Sequence, residues 1–233
     1  MTDNKIILGD SHKVVPTLDQ RFTCIIADPP YGVDFQSRRA ETPEGKRWVK
    51  DVAGDKDLNA AIIDFQRVFR SCAAVAKPQA EAYVFTRWDV VGDWIKAVNG
   101  LEDTGFTYKM LLVWDKGIPG MGDIDANWGC GHELILYLKR GRRDLPFRRS
   151  GIIHVDKVAN MRHIHPTEKP VELIERLLEM STTFGDWVLD PYSGSGSTAV
   201  AARKLGRNSI GVEIDDQYVK SSQERLMQGT MTF

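Results

Sequence analysis

"DWVLDPYSGSGSTAVAARKLGRNSIGVEI", Asp186 to Ile214, decides the fold. An apolar run ends at Asp190, a turn holds Gly194 and Gly196, and a helical pattern leads to a second apolar run ending at Glu213. Strand, glycine turn, helix, strand is the unit of a parallel sheet. The glycines let backbone approach a ligand closely, and the helix N-terminus presents free N–H groups. Glu213 lies 23 residues past Asp190, where an acid can bind ribose hydroxyls.

The turn fits the dinucleotide fingerprint only weakly, through its alanine variant at Ala199, and no lysine follows the glycines as in a P-loop. An acid at Asp190 repels a pyrophosphate but suits an ammonium or a sulfonium. That favours a positively charged nucleoside cofactor with an amino-acid tail, a description that S-adenosylmethionine answers.

Working outward, seven apolar runs read as strands: "KIILGD", "FTCIIAD", "EAYVFT", "FTYKMLLVWDK", "HELILYLKR", "DWVLD" and "NSIGVEI". Helical patterns lie between many of them, from "LNAAIIDFQRVFRSCAAVA" to "DQYVKSSQERLMQ". The alternation predicts a mostly parallel sheet with helices on both faces. The 233 residues suit one α/β domain over 1–233, with loop insertions at about 34–56 and 117–165.

The chain is 42% hydrophobic and 27% charged, ordinary for a soluble globular protein. No long apolar run predicts a membrane span, and the polar start is no signal peptide. Cys24, Cys72 and Cys130 are scattered, which predicts reduced thiols in a cytoplasmic protein and no zinc site. The formal net charge of −1 excludes a uniformly basic coat, but "KRGRRDLPFRRS", Lys139–Ser150, is locally basic. By itself this segment reads as a solvated loop.

"IIADPPYGVDF", Ile25–Phe35, is the second informative stretch. Two prolines stop a strand because neither donates a backbone hydrogen bond. Asp28 should therefore sit beyond the carboxyl end of a buried strand, where open α/β sheets bind ligands.

With these stretches in hand, the chain resembles the amino-methylating DNA methyltransferases of permuted, β-type motif order. "GD" at Gly9–Asp10, "DPPY" at Asp28–Tyr31, "HPTEKP" at His165–Pro170, "DPYSGSGST" at Asp190–Thr198 and "GVEID" at Gly211–Asp215 follow that order. The resemblance spans nearly the whole chain. It implies a Rossmann-like methyltransferase fold, a seven-stranded mostly parallel sheet with one antiparallel strand. Tyr192, Ser193, Gly194, Ser195 and Gly196 would line the methionine end of the cofactor, Glu213 its ribose and Asp10 its adenine. Asp28, Asp190, His165, Thr167 and Lys169 would complete the pocket, with Thr167 and Lys169 closing it. Tyr192, Glu168 and Ser197 depart from the commoner Phe, Gln and Thr.

The resemblance implies methyl transfer from S-adenosylmethionine to an exocyclic amine of a base flipped out of double-stranded DNA, leaving S-adenosylhomocysteine. Asp28 and the Pro29 carbonyl would accept the amine's hydrogens, Pro30 would hold that carbonyl's direction, and Tyr31 would face the base. Positioning supplies much of the rate, and no metal or covalent intermediate is required. Asp28 to Tyr31 would thus form a rigid clamp on the amine; Asp at its first position leans towards N6 of adenine, and N4 of cytosine remains the alternative.

Duplex contacts would come from Arg140, Arg142, Arg143, Arg148 and Arg149, and from Arg38, Arg39, Lys46 and Arg47, with Trp48 and Trp128 as stacking candidates. The short recognition region predicts a short or loosely read site, or help from a second subunit as a homodimer. The host would be a bacterial or phage-infected cell. Competing readings are an amine methyltransferase acting on RNA or protein, a non-catalytic DNA- or nucleotide-binding module, and a Rossmann dehydrogenase, which would leave "DPPY" unexplained.

Overall fold

The computed structural model describes residues 2–32, 57–118, 128–156 and 168–228. The strands are β1 (Asn4–Leu8), β2 (Phe22–Ala27), β3 (Ala76–Thr86), β4 (Phe106–Asp115), β5 (His132–Arg140), β6 (Ile152–His154), β7 (Trp187–Asp190) and β8 (Asn208–Glu213). They form one sheet in the order β1-β8-β7-β2-β3-β5-β4-β6. All seven strands expected from the apolar runs are present. The eighth, β6, is three residues long and too short to show a period; it is held by pairing beside β4 from Val113↔Ile152 to Asp115↔His154.

Among the described residues only β5 runs against its neighbours, β3 and β4. The expected single antiparallel strand is therefore β5. Every residue of β2 is buried, as a parallel strand covered on both faces requires.

The helices are α1 (Ser11–Val14), α2 (Leu58–Val75), α3 (Val91–Asn99), α4 (Val171–Ser181), α5 (Ser197–Lys204) and α6 (Asp216–Gln228). α2 starts where the Asp57 carboxylate accepts the Ala60 N–H at 2.9 Å. It buries Ala61, Phe65, Val68, Phe69 and Cys72, the three-and-four spacing of one helical face. Those residues pack with Trp94 of α3 and with Val84 and Leu189 of the sheet. On the opposite face Leu173, Ile174 and Leu177 of α4 pack with Ala201 and Ala202 of α5 and with Val188. Cys24, Cys72 and Cys130 are free thiols.

The strand order reverses between β7 and β2: β2 leads through α2 to β3 on one side, and β7 through α5 to β8 on the other. A crevice opens at such a reversal, beyond the carboxyl ends of the strands. Asp28 and Asp190 follow the two strands that flank it.

Candidate active site

Asp28 follows β2 directly, and the two prolines end the strand there. The Tyr31 hydroxyl donates a short hydrogen bond to Asp28 Oδ1. Burial first, then the neighbouring Asp28 carboxylate, push the Tyr31 hydroxyl well above the usual tyrosine range, so it stays a donor. The ring meets Trp94 edge-on at a centroid distance of 6.4 Å.

Asp28 Oδ2 accepts a hydrogen bond from Lys169 Nζ at 2.6 Å. Lys169 lies 3.3 Å from Glu133 Oε2 and its ammonium sits over the Phe85 ring. Lys116 lies 2.5 Å from the other Glu133 oxygen. The charges alternate from Lys116 through Glu133 and Lys169 to Asp28. Burial alone would lower Lys169; Asp28 and Glu133 outweigh it and hold the ammonium protonated. Burial likewise would raise Glu133, but Lys169 and Lys116 keep its carboxyl below the ordinary range.

The glycine turn joins β7 to α5. The Tyr192 N–H donates to Asp190 Oδ1 at 3.0 Å, and the Gly194 N–H donates to Glu213 Oε2 at 2.8 Å. Glu213 Oε1 accepts the Asp215 N–H at 2.8 Å, so the carboxylate braces both turns. Asp10 caps α1 by accepting the His12 N–H at 3.0 Å. The Gly9 N–H bonds the Glu213 carbonyl at 2.8 Å, which sets Asp10 beside the end of β8.

Gly194 and Gly196 both take positive φ, 49° and 77°. A Cβ on Gly196 would fall 2.8 Å from the Ser222 Cβ, whereas one on Gly194 would meet nothing within 4 Å. The space beside Gly194 is an open cradle. Asp190 is buried, and burial, with smaller contributions from Asp28 and Glu213, raises its carboxyl to about 7. Three acids at adjoining strand ends suit a cation.

Not every expected residue faces this crevice. The Tyr192 ring packs into the core beneath α2. The Ser193 hydroxyl is buried near Gly211 and lacks a hydrogen-bond partner among the described residues. The Ser195 carbonyl accepts from Arg225 at 3.2 Å. Lys169 does face the crevice, with its ammonium on Asp28. His165, Thr167, Arg38, Arg39, Lys46, Arg47 and Trp48 lie outside the described residues, as do residues 33–56 and, of the second expected insertion, residues 119–127 and 157–165.

The described arginines of the basic segment Lys139–Ser150 are not brought beside Asp28. β5 is antiparallel, so Glu133 near its start stands at the Asp28 end, whereas Arg140 pairs with Ala80 and Phe106 towards the opposite edge. Seven residues of extended strand separate the two by roughly 20 Å. Arg140 donates to the Ala73 carbonyl at 2.7 Å, and Arg143 donates to the Ser181 carbonyl, at the C-terminal ends of α2 and α4. Arg149 pairs with Glu179 at 2.8 Å, while Arg142 and Arg148 are exposed. On the clamp side, Trp128 precedes β5 and is 97% exposed, and Trp88 follows β3 and is also exposed.

Sequence reading missed Glu133, Lys116 and Arg225. Glu133 stands near the start of β5, Lys116 just past β4 and Arg225 near the end of α6, and each looks like an ordinary charge at an element's end until the chain is folded.

YubD of Escherichia coli (strain K12) is 34% identical over 227 residues, covering 96% of this chain and 90% of its own. The solved complex of M1.HpyAVI with SAM superposes with a TM-score of 0.72 at 22% identity, covering 95% of this chain and 98% of that one. PvuII DNA methyltransferase, described as cytosine-N4-specific, gives 0.75 at 15% identity, covering 100% and 89%. Both structures share the fold. The family model described as DNA methylase matches residues 22–224, and the chain belongs to this N6/N4 DNA methylase family.

Proposed function

We propose that the chain is a single-domain, site-specific DNA methyltransferase of permuted, β-type motif order, using S-adenosylmethionine to methylate N6 of adenine in double-stranded DNA. The observation that carries this reading is the seating of Asp28 and Asp190 on either side of the strand-order reversal, in a chain of the DNA methylase family. Asp28 belongs to the clamp and Asp190 to the glycine turn.

The residues present fit S-adenosylmethionine. The cradle at Gly194 has room for its amino-acid end, and Asp190 stands ready for its ammonium. Glu213 keeps acceptor capacity for ribose hydroxyls, and Asp10 adjoins it for the adenine amine. When bound, the cofactor supplies an electrophilic methyl group on a sulfonium, and S-adenosylhomocysteine remains.

The substrate amine's lone pair is delocalised into its ring. Asp28 and the Pro29 carbonyl accept its two N–H bonds, which favours a pyramidal nitrogen with a free lone pair. Tyr31 orients the Asp28 carboxylate. The proton released after alkylation passes to Asp28 or solvent, and no strong base is required. The flipped base enters from the carboxyl edge of the sheet, where Trp88 and Trp128 are exposed. Arg38, Arg39, Lys46 and Arg47 follow the clamp in sequence and supply phosphate contacts. Cytosine N4 is the second reading, favoured by the fold shared with PvuII methyltransferase. A DNA substrate places the protein in the cytoplasm of a bacterial or phage-infected cell; among the described residues no helix is long and apolar enough to cross a membrane.

The test uses tritium-labelled S-adenosylmethionine and unmethylated duplex DNA, then digestion and nucleoside chromatography, with Asp28→Ala alongside. Label in N6-methyladenine that the variant loses by about 10²–10³-fold in rate supports the reading. Label in N4-methylcytosine changes the base; no label in DNA sinks the proposal.

A further inference from the structure

Lys169 occupies the place where the clamp must receive its substrate. Its ammonium is 2.6 Å from Asp28 Oδ2. Tyr31 holds the other oxygen. An amine arriving at Asp28 meets a cation already donating there.

The same ammonium has a second carboxylate within reach. Glu133 Oε2 lies 3.3 Å away, buried, and without a hydrogen bond of good geometry to any described residue. That oxygen meets the ammonium as an ion pair without a well-formed hydrogen bond, so it retains acceptor capacity on the side facing Lys169. Glu133 itself is held: its other oxygen pairs with Lys116, and its backbone stands opposite Trp114 of β4 in the ladder. Lys169 is the partner that can move, on a side chain with four rotatable carbons.

We propose that Glu133 is a positioning residue for methyl transfer: it offers the Lys169 ammonium a second seat and so frees Asp28 Oδ2 to accept the substrate amine. The shift of Lys169 keeps the ammonium paired, and Asp28 then accepts from the Tyr31 hydroxyl and the substrate amine. Lys116 sets the limit of the movement by fixing Glu133. The proposal rests on the methyl-transfer reading above.

Kinetics with unmethylated duplex DNA would compare wild type, Glu133→Gln, Glu133→Asp, Lys169→Gln and the double variant Glu133→Gln/Lys169→Gln, with S-adenosylmethionine affinity measured for each. Glu133→Gln should lose about 10–100-fold in kcat with cofactor affinity within about twofold. Glu133→Asp should keep most of the rate. The double variant should run faster than Glu133→Gln alone, because the ammonium that blocks Asp28 is gone. Urea unfolding of the same variants separates this reversal from simple relief of an unpaired buried charge, which would restore stability and rate together. Wild-type kcat in Glu133→Gln, or a double variant no faster than Glu133→Gln, overturns the proposal.

A second readout needs no turnover. The Lys169 Nζ resonance in 15N-labelled protein should shift when duplex DNA is added to wild type and stay put in Glu133→Gln. Equal behaviour in the two proteins overturns the inference. Absence of transfer by wild type to any DNA, with the resonance still shifting, overturns the proposed reaction and leaves the two-seat lysine standing.

Discussion

Arg225 on α6 lies 2.7 Å from Glu168, beside the clamp-facing Lys169, and also donates to the Ser195 carbonyl at 3.2 Å. One guanidinium thereby ties the segment before α4 to the glycine turn before α5. Glu168 is almost fully enclosed and Arg225 mostly so, which makes this a buried pair rather than a surface one. Removing one partner leaves an uncompensated charge and costs about 3–5 kcal/mol.

Arg225→Met should therefore destabilise the protein by about that amount in urea unfolding, and weaken S-adenosylmethionine binding because Ser195 loses its brace. Pairing it with Glu168→Leu should restore stability without restoring cofactor affinity. Full recovery of both would mean that the brace does not reach the turn.

Cofactor binding should depend on pH through Asp190. Its folded carboxyl titrates near 7, above the ordinary 3.8, chiefly through burial. In the free protein this contribution to stability is greatest at low pH and is lost as pH rises towards 7. A cationic ligand prefers the carboxylate, so binding expels a proton below pH 7. Affinity should rise by up to about tenfold per pH unit between about pH 5 and 7 and then level off. Calorimetry on Asp190→Asn should give a flat profile; an unchanged slope in the variant would remove Asp190 from the site.

The two turn glycines should fail differently. Gly196→Ala places a Cβ against Ser222 at positive φ and should lower thermal stability, by about 1–3 kcal/mol from backbone strain with the clash added. Gly194→Ala carries similar strain but meets no atom. Its larger effect should fall on cofactor affinity, since the methyl group fills the cradle. Equal affinity in Gly194→Ala and wild type would place the ligand elsewhere.

The arginines at the far edge should not matter for DNA, and of them Arg140 should matter for folding. Arg140→Met strands the Ala73 carbonyl and should cost about 1–3 kcal/mol. Arg142→Ala, on an exposed side chain, should stay within about 0.5 kcal/mol of wild type. Neither should change the salt dependence of DNA binding, whereas loss of a phosphate contact lowers the slope by about one. A reduced slope in either variant would put the duplex at the amino edge of the sheet.

Much of the fold was legible because its signals are local. Apolar runs, the proline pair after Ala27 and the glycines of the β7–α5 turn each follow from a few adjacent residues. β6 escaped because three residues carry no periodicity and its pairing with β4 depends on where the chain returns. Asp28, Asp190, Gly194 and Glu213 could be named from motif chemistry. Glu133 and Arg225 could not, since each acts on residues more than twenty-five positions away.

The sequence by itself determined the alternating α/β architecture, the rigid "DPPY" segment and the acid-flanked glycine turn, because strand termination, backbone freedom and helix periodicity are properties of short stretches. Tertiary structure alone decided which charges meet. It set Lys169 between Asp28 and Glu133, and the reversed direction of β5 carried Arg140 to the edge opposite the clamp. Charge acts through space over a few ångströms, and only strand order and direction bring residues from distant parts of the chain within that range.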